Sequence, residues 1–167
     1  GGKQKVYTGT PLEIAIAKKH DEISKECNEE IEKGIDIGED HYSLTLPDQT
    51  NIGAWLAFAN SGLPVPYHAD GKGCRVYTAD EFKNIAYFAI YFITAKTTYC
   101  NMLIRMMETM KTEEEVIAVK FGETELTGEY LENYTYIMNN LPIQIELPEN
   151  NPENTSTDNN VENSFDE

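Results

Sequence analysis

The chain has 167 residues, a formal net charge of −16 and three cysteines. Its length suits one domain with a hydrophobic core, and its apolar stretches fall short of the roughly 20 residues that cross a bilayer. Residues 1–147 hold 23 acidic and 13 basic side chains (−10), and residues 148–167 hold 6 acidic and no basic ones (−6). Because nucleic acids and anionic membranes attract Lys and Arg, this charge argues against both as partners.

The N-terminal end of the chain and its cysteines narrow the class of protein further. The chain opens on Gly1-Gly2 without a Met, which indicates a cloning scar or a processed end, and we expect residues 1–9 to form an arm. No signal-peptide pattern is present, so we expect no secretion by that route. The odd set of widely spaced cysteines (Cys27, Cys74 and Cys100) argues against a disulfide framework and fits a reducing compartment.

The first helix is predicted to begin at a capping box, Thr10-Pro11-Leu12-Glu13, and to stop at Gly34. Spacings of three and four place one set of residues on the inner face: Leu12, Ile16, His20, Ile23, Cys27 and Ile31. We expect His20 to be a hydrogen-bonded core histidine. The charged residues, Lys19 among them, are expected to face solvent.

Short alternating segments then predict β-structure around a second helix. Residues 35–45 alternate apolar and polar positions around a Gly38 turn, which is typical of a β-hairpin. Residues 63–68 and 74–77 flank the turn pair Asp70-Gly71, which predicts a second hairpin or a structured loop. Between them a helix capped at Thr45 should run to about Ser61, with its inner face made of Ile52, Trp55, Leu56 and Ala59.

The firmest prediction is a long apolar helix over about Ala79–Lys111, opened by a capping box from Thr78 to Glu81. One stripe of it consists of Phe82, Ile85, Ala89, Phe92, Ile93, Cys100, Leu103, Met107 and Met110. The opposite side carries Tyr87, Phe88, Tyr91, Ala95, Met102 and Met106. A helix that is apolar nearly all round lies at the centre of a bundle or meets another chain on one side.

The C-terminal part adds two helices and a tail. A short helix capped at Thr112 should reach about Val119, and a last helix should span Thr127–Asn140. Its inward side is predicted to hold Tyr130, Leu131, Tyr134, Ile137, Met138 and Leu141. Residues 148–167 are polar, acidic and aperiodic, so we expect a disordered tail after a single helix-rich domain at 10–147.

No residue pattern indicates catalysis, a metal or a cofactor. The histidines and cysteines lack ligand spacings such as CxxC or HxxxH, and no nucleophile motif occurs. The segment Asp70-Gly-Lys-Gly73 superficially resembles a phosphate loop, but it lacks the required spacing and a hairpin turn explains it. We therefore predict no catalytic, cofactor-binding or metal residues, and a protein that is not an enzyme.

The ten tyrosines and five methionines point instead to contact with a protein. Tyrosine rings pack while their hydroxyls reach water or a partner, and methionine provides an adaptable apolar surface. These residues either fill the core or form an interface. The candidate interface consists of Tyr87, Phe88, Tyr91, Met102, Met106, Tyr67 and Tyr77.

The order of several short motifs resembles a known kind of domain. The segments are GIDI from Gly34, HYSLTLPDQTNI over His41–Ile52, the Asp70-Gly71 turn, YTADEF over Tyr77–Phe82, and TEEE from Thr112. Together they resemble a domain of unknown function found in tail, tail-fibre and tail-fibre-assembly proteins of tailed phages and prophages. The resemblance covers roughly residues 20–120. It implies a role in the virion or its assembly and no catalysis, and it transfers no active site.

These observations lead to one expectation and one alternative. We expect a helix-dominated α+β domain: a long-helix bundle with two short β-hairpins, in which the first and long helices pack lengthwise. Its expected function is that of a phage or prophage structural or assembly protein, acting through a protein partner or a homo-oligomer, in the virion or in the bacterial host cytoplasm during assembly. The alternative is an acidic regulatory or inhibitory protein that mimics nucleic acid, for which the net charge argues.

Overall fold

The structure is a computed structural model of the chain, and it describes residues 2–143. The predicted acidic tail at 148–167 lies outside the described residues. The helices are α1 (Pro11–Lys33), α2 (Leu46–Asn60), α3 (Ala79–Glu108), α4 (Glu113–Ala118) and α5 (Gly128–Asn139). The strands are β1 (Ile35–Ile37), β2 (Asp40–Tyr42), β3 (Val65–Tyr67) and β4 (Arg75–Tyr77). This confirms the predicted helix-dominated α+β class.

The predicted helix starts are confirmed by their capping contacts. Thr10, Thr45, Thr78 and Thr112 each accept a hydrogen bond from the backbone three residues on, and an acidic side chain there bonds back. At α3, Glu81 N donates to Thr78 Oγ1 at 3.2 Å, and Thr78 N donates to Glu81 Oε2 at 2.8 Å. These bonds satisfy amides that have no partner within the helix, which fixes where each helix begins.

Both hairpins are present in the described part of the chain. β1 pairs antiparallel with β2, with Ile35 opposite Tyr42, and Gly38 takes a positive φ of 61° in the connecting turn. β3 pairs antiparallel with β4, with Pro66 opposite Val76. For this second segment the sequence predicted either a hairpin or a structured loop, and the strand pairing shows that it is a hairpin. Each sheet has two strands, so the proline stands on an edge strand, where a missing amide is tolerated.

Helix α3 is the centre of the bundle, and α1 packs along it in the opposite direction. The Cys27 thiol near the end of α1 lies 3.6 Å from the carbonyl oxygen of Lys96, in the middle of α3. Earlier in α1, Ile23 packs in one cluster with Leu103, which is further along α3. The expectation that the first and long helices pack lengthwise is therefore confirmed.

Helix α2 covers the first half of α3, also in the antiparallel direction. Leu46 at its start borders a groove together with Thr97, and Asn60 at its end accepts a hydrogen bond from Tyr87 at 2.9 Å. The short helix α4 packs on α1. The first half of α3 is thus enclosed by α1, α2 and the hairpins, whereas its second half meets α1, the loop after α4, and α5.

Buried side chains divide into two clusters. The hairpin-end cluster consists of Cys27, Ile31, Ile35, Tyr42, Leu44, Ile52, Ala59, Val65, Ala69, Tyr77, Phe82, Ile85, Ala86 and Ala89. The loop-end cluster consists of Ile23, Leu103, Ile104, Met106, Met107, Val116, Val119 and Leu126. Only α1 and α3, among the described elements, contribute buried residues to both clusters, so these two helices hold the ends of the molecule together.

One prediction for α1 was wrong. His20 is exposed and lies 3.5 Å from Asp21, whereas its neighbour Lys19 is buried, with its ammonium 3.1 Å from Glu22. The cause is α4, which packs on the first half of α1 and leaves His20 in solvent. A lysine tolerates such a position because its aliphatic stem can be buried while the ammonium reaches the edge.

The inward side of α5 is narrower than predicted. Thr127 before α5 donates a hydrogen bond to Met106 Sδ at 3.6 Å, and Tyr134 further along lies near Tyr91, so α5 runs antiparallel to α3. Leu131, predicted to point inward, is 46% exposed, and none of the described α5 residues is fully buried. A helix that contacts one neighbour along a single stripe leaves its flanks in solvent, which explains the error.

The segment before α1 is held against that helix. The Tyr7 hydroxyl donates to Asp21 Oδ2 at 2.7 Å, and the Lys5 ammonium pairs with the same carboxylate. The ammonium of Lys18 lies 5.8 Å from the centre of the Tyr7 ring. Hydrogen bonds from Lys5 and then Tyr7 lower the pKa of Asp21 to about 2. The predicted arm therefore has specific contacts in its second half.

Gly34 should tolerate no side chain. Its φ of 85° is disfavoured for other residues, and an added Cβ would collide with the Tyr42 backbone carbonyl. We expect Gly34→Ala to lower the free energy of unfolding by about 2–4 kcal/mol, measured by urea denaturation followed by circular dichroism.

Gly53→Ala is the matched control. Gly53 lies inside α2, and nothing lies within 4 Å of the position of an added Cβ. Because alanine favours a helix more than glycine does, this variant should have a free energy of unfolding about 0.5–1 kcal/mol higher than that of the unchanged chain. Equal stability of the two variants would contradict the steric explanation.

Candidate functional site

The middle of α3 is an apolar segment that the described chain leaves partly open. Ala89 and Leu103 are fully buried, but within residues 2–143 no side chain from 90 to 102 is. This segment nevertheless contains Ile90, Tyr91, Phe92, Ile93, Ala95, Tyr99, Cys100 and Met102. It lies between the two buried clusters, where α2 borders it at Ile93 and Thr97 and α5 reaches it at Met102, yet neither helix buries it fully.

Three of the seven predicted interface residues lie in or beside this segment on the first half of α3. Tyr87 is half-buried and its hydroxyl bonds the side chain of Asn60 in α2. Phe88 is half-buried and packs against the hairpin-end cluster. Tyr91 is half-buried and lies near Tyr134. All three keep part of their rings accessible, so they remain candidates for contact with a partner.

The two predicted methionines differ in position. Met102 is half-buried, and its sulfur accepts a hydrogen bond from the Asn133 amide at 3.5 Å. Met106 is buried, 9% exposed, and is capped by the Thr127 hydroxyl. Met106 therefore belongs to the core and is removed from the candidate surface, because α5 and the preceding loop cover it.

Of the two predicted tyrosines in the second hairpin, Tyr77 is a core residue and Tyr67 is half-buried. Tyr77 is 2% exposed, its hydroxyl lies 3.1 Å from that of Tyr42, and the Arg75 guanidinium lies 3.6 Å from its ring centre. The Tyr67 ring lies 5.5 Å from that of Phe82, edge to face, and burial raises the pKa of Tyr67 to about 12. We therefore correct the prediction for Tyr77, whereas Tyr67 is half-buried and stays a candidate. Alternation along a strand does not show which face meets the helices.

Sequence reasoning missed an apolar patch at the end of α2. The rings of Trp55 and Phe58 are 5.3 Å apart, and Phe58 is 50% exposed. Leu63 is 49% exposed, and its amide bonds the carbonyl oxygen of Phe58. The available signal was that apolar residues surround α2 on all sides, as they do α3, although a helix at the surface can bury only one of its faces.

The two hairpins are joined by a polar cluster, here called the hairpin contact: Asp36, His41, Ser43 and Asp70. His41 Nδ1 lies 2.6 Å from Asp36 Oδ1, and its Nε2 lies 3.9 Å from Asp70 Oδ2. Ser43 donates from both its amide and its hydroxyl to Asp70, whose own amide donates to the His41 carbonyl at 2.8 Å. The Ser43 hydroxyl bonds the carboxylate and not the imidazole, so the cluster lacks the hydrogen bond that would activate a nucleophile.

The electrostatics of the hairpin contact follow from these bonds. The hydrogen bond to Asp36 raises the pKa of His41 above its usual range, and hydrogen bonds from Ser43 lower the pKa of Asp70. Next to them, Lys72 in the Asp70–Gly73 turn pairs with Asp40. The turn that superficially resembled a phosphate loop therefore holds one hairpin to the other.

Residues 2–143 contain no group of three or more His, Cys, Asp and Glu side chains placed to hold a metal ion. In the same range, no helix combines the length and apolar character needed to span a membrane.

Comparison with known proteins gave no relative. No protein-family model, curated protein or solved structure matches this chain. The resemblance to phage tail proteins therefore stays a prediction.

The hairpin contact should make stability depend on pH. The pKa of His41 is raised in the folded chain. The contribution of the charged His41 to the free energy of unfolding is therefore fully present below pH 6.5, the pKa of an unperturbed histidine, and is lost as the pH rises through the pKa that His41 has in the folded chain. We expect His41→Gln to lower the free energy of unfolding more at pH 5.5 than at pH 8.5. The difference should be no more than about 1 kcal/mol, since the His41–Asp36 pair is partly exposed.

The measurement is urea denaturation at both pH values. Glu39→Gln is the matched control, because it removes a carboxylate from the same hairpin turn without touching His41. If His41→Gln had the same effect at both pH values, the charged pair would contribute nothing.

Proposed function

We propose that this chain is a structural or assembly protein of a phage or prophage particle and that it acts by binding other protein chains, including its own copies, through the middle of α3. The partly open apolar segment from 90 to 102 carries the contact part of this proposal. The motif order from Gly34 to Glu115 supports the phage part.

The composition of the open segment favours a protein contact. Between Lys83 and Arg105, the sequence of α3 contains one charged residue, Lys96. The backbone carbonyl of Lys96 faces α1, and its ammonium lies 5.6 Å from the Phe92 ring. Exposed apolar patches with aromatic residues and few charges are typical of surfaces that meet another protein. Tyr87 and Tyr91 add hydroxyls that can bond a partner.

The net charge sets a condition on self-association. Two copies at −16 each repel one another, so contact is easiest through a surface without acidic residues. The sequence of α3 itself has no acidic residue between Glu81 and Glu108, so its middle suits such a contact. Added salt screens the repulsion, with a Debye length of about 10 Å at 0.1 M and about 3 Å at 1 M. An apolar contact between acidic chains should therefore strengthen with salt, whereas a contact made by ion pairs should weaken.

The first test measures the oligomeric state of the full chain by light scattering over a range of concentrations and salt. We expect self-association that strengthens from 0.1 to 1 M NaCl. Tyr91→Ser should weaken it about tenfold or more, since about 1.4 kcal/mol corresponds to a tenfold change. Tyr136→Ser is the matched control, because Tyr136 is a tyrosine 68% exposed on α5 and should have no effect.

Two outcomes would contradict the contact through α3. One is equal association of the Tyr91 and Tyr136 variants, both folded by circular dichroism. The other is a full chain that is monomeric at every concentration and at every salt concentration tested.

The second test concerns the particle. Particles purified from an induced lysogen that carries the gene should contain this chain in fixed proportion to the major capsid protein, measured by quantitative mass spectrometry of tryptic peptides. The peptide over residues 97–105 is a suitable reporter. Absence of the chain from both particles and assembly intermediates would reject the phage part and leave the contact part standing.

A further inference from the structure

Two of the three cysteines meet where α1 crosses the middle of α3. The Cys27 thiol lies 3.6 Å from the Lys96 carbonyl oxygen, and Cys100 is one helical turn beyond Lys96. Cys27 is 4% exposed and Cys100 is half-buried, and Cys100 packs against both buried clusters. The third cysteine, Cys74, is exposed in the second hairpin. Residues 73 positions apart in sequence are thus brought together at the junction of the two cores.

The two thiols are not equivalent. The neighbouring Cys100 raises the pKa of Cys27, with burial adding to the effect. The neighbouring Cys27 in turn lowers the pKa of Cys100. Cys100 is also the more exposed of the two. The pair therefore consists of one half-buried cysteine that can react as a thiolate and one buried neighbour that keeps its proton.

We propose that Cys27 and Cys100 form a redox modification site, in which a hydroperoxide such as hydrogen peroxide oxidises the pair to a disulfide that joins α1 to α3. This inference is independent of the proposed function. It rests on the position of the two side chains between the helices and on the difference in their exposure. Cys74 has no such neighbour among the cysteines of the described chain.

The reaction has two balanced steps. The Cys100 thiolate attacks one oxygen of hydrogen peroxide, the O–O bond breaks, and a sulfenic acid and hydroxide form, with the sulfur oxidised and the peroxide reduced. The Cys27 sulfur then attacks the Cys100 sulfur, the S–O bond breaks, and the Cys27 proton leaves with the hydroxyl group as water. The sum is two thiols and one hydrogen peroxide giving one disulfide and two waters.

The bond would fix α1 on α3 within the segment from 90 to 102, none of whose residues is fully buried in the described chain. A disulfide that closes a long loop restricts the unfolded chain, so the oxidised protein should unfold at a higher temperature than the reduced one. The bond would also consume both thiols, which protects Cys100 from irreversible oxidation.

The test oxidises the full native chain and maps its cysteines. Trypsin places each cysteine on a separate peptide: residues 26–33 for Cys27, 73–75 for Cys74 and 97–105 for Cys100. After brief treatment with hydrogen peroxide and blocking of free thiols, we expect the first and third peptides joined, with the loss of two hydrogens, in protein that remains monomeric on a non-reducing gel. Dithiothreitol should reverse the link and the rise in melting temperature.

Cys74→Ser is the matched variant, and it should leave the linked peptide and the shift in melting temperature unchanged. Cys27→Ala should abolish the link and leave Cys100 to collect sulfinic acid. Should that variant fail to fold, the mapping of the wild-type chain still decides. Three results for the native wild-type chain would overturn the proposal. They are sulfinic acid on Cys100 without a link to Cys27, links that involve only Cys74, and Cys27 and Cys100 that both stay unmodified.

Discussion

The packing of α1 against α3 is the contact on which the rest of the structure depends. These two helices run antiparallel, and each contributes side chains to both buried clusters. Helix α2 and the hairpins cover the first half of α3, whereas α4 sits on α1 and α5 on the second half of α3. Each cluster therefore has its own set of covering elements, and the two sets meet only through this helix pair.

A consequence of this plan is that the middle of α3, from 90 to 102, has no fully buried residue within the described chain. Its residues are largely apolar, yet α1, α2 and α5 cover them only partly. The same region brings Cys27 next to Cys100 on the α1 side and leaves Tyr91 partly open on another. The proposed binding surface and the proposed redox site thus share one origin, the gap between two cores built on a single long helix.

Much of the fold could be predicted from local chemistry. A threonine followed three residues later by an acid marks the start of four helices, and turn glycines such as Gly38 mark the hairpins, because these signals act over a few residues. Burial was harder. Periodicity identified a face containing His20 but could not show that α4 would cover Lys19 instead. It likewise placed Leu131 inward, without information on how many neighbours α5 would have.

The candidate surface was predictable only in part, for the same reason. A helix that is apolar all round must be covered, but the sequence does not say which portion is covered from within the chain. Tyr87, Phe88 and Tyr91 keep accessible rings, whereas Met106 and Tyr77 are enclosed by α5 and by the packing of the hairpins. The patch around Phe58 was missed because helical periodicity assigns α2 one inner face, and its apolar residues outside that face received no predicted role.

The separation of the two clusters also bears on how the chain comes together during synthesis. Every buried member of the hairpin-end cluster lies between Cys27 and Ala89, so this core is complete in sequence once α3 has begun. Ile23 must wait for partners that start at Leu103, which follow Ala89 in the sequence. Synthesis from the N-terminus therefore supplies all buried residues of the hairpin-end cluster before those of the loop-end cluster are complete. Helix α3 begins in the first cluster and ends in the second, so it connects the two.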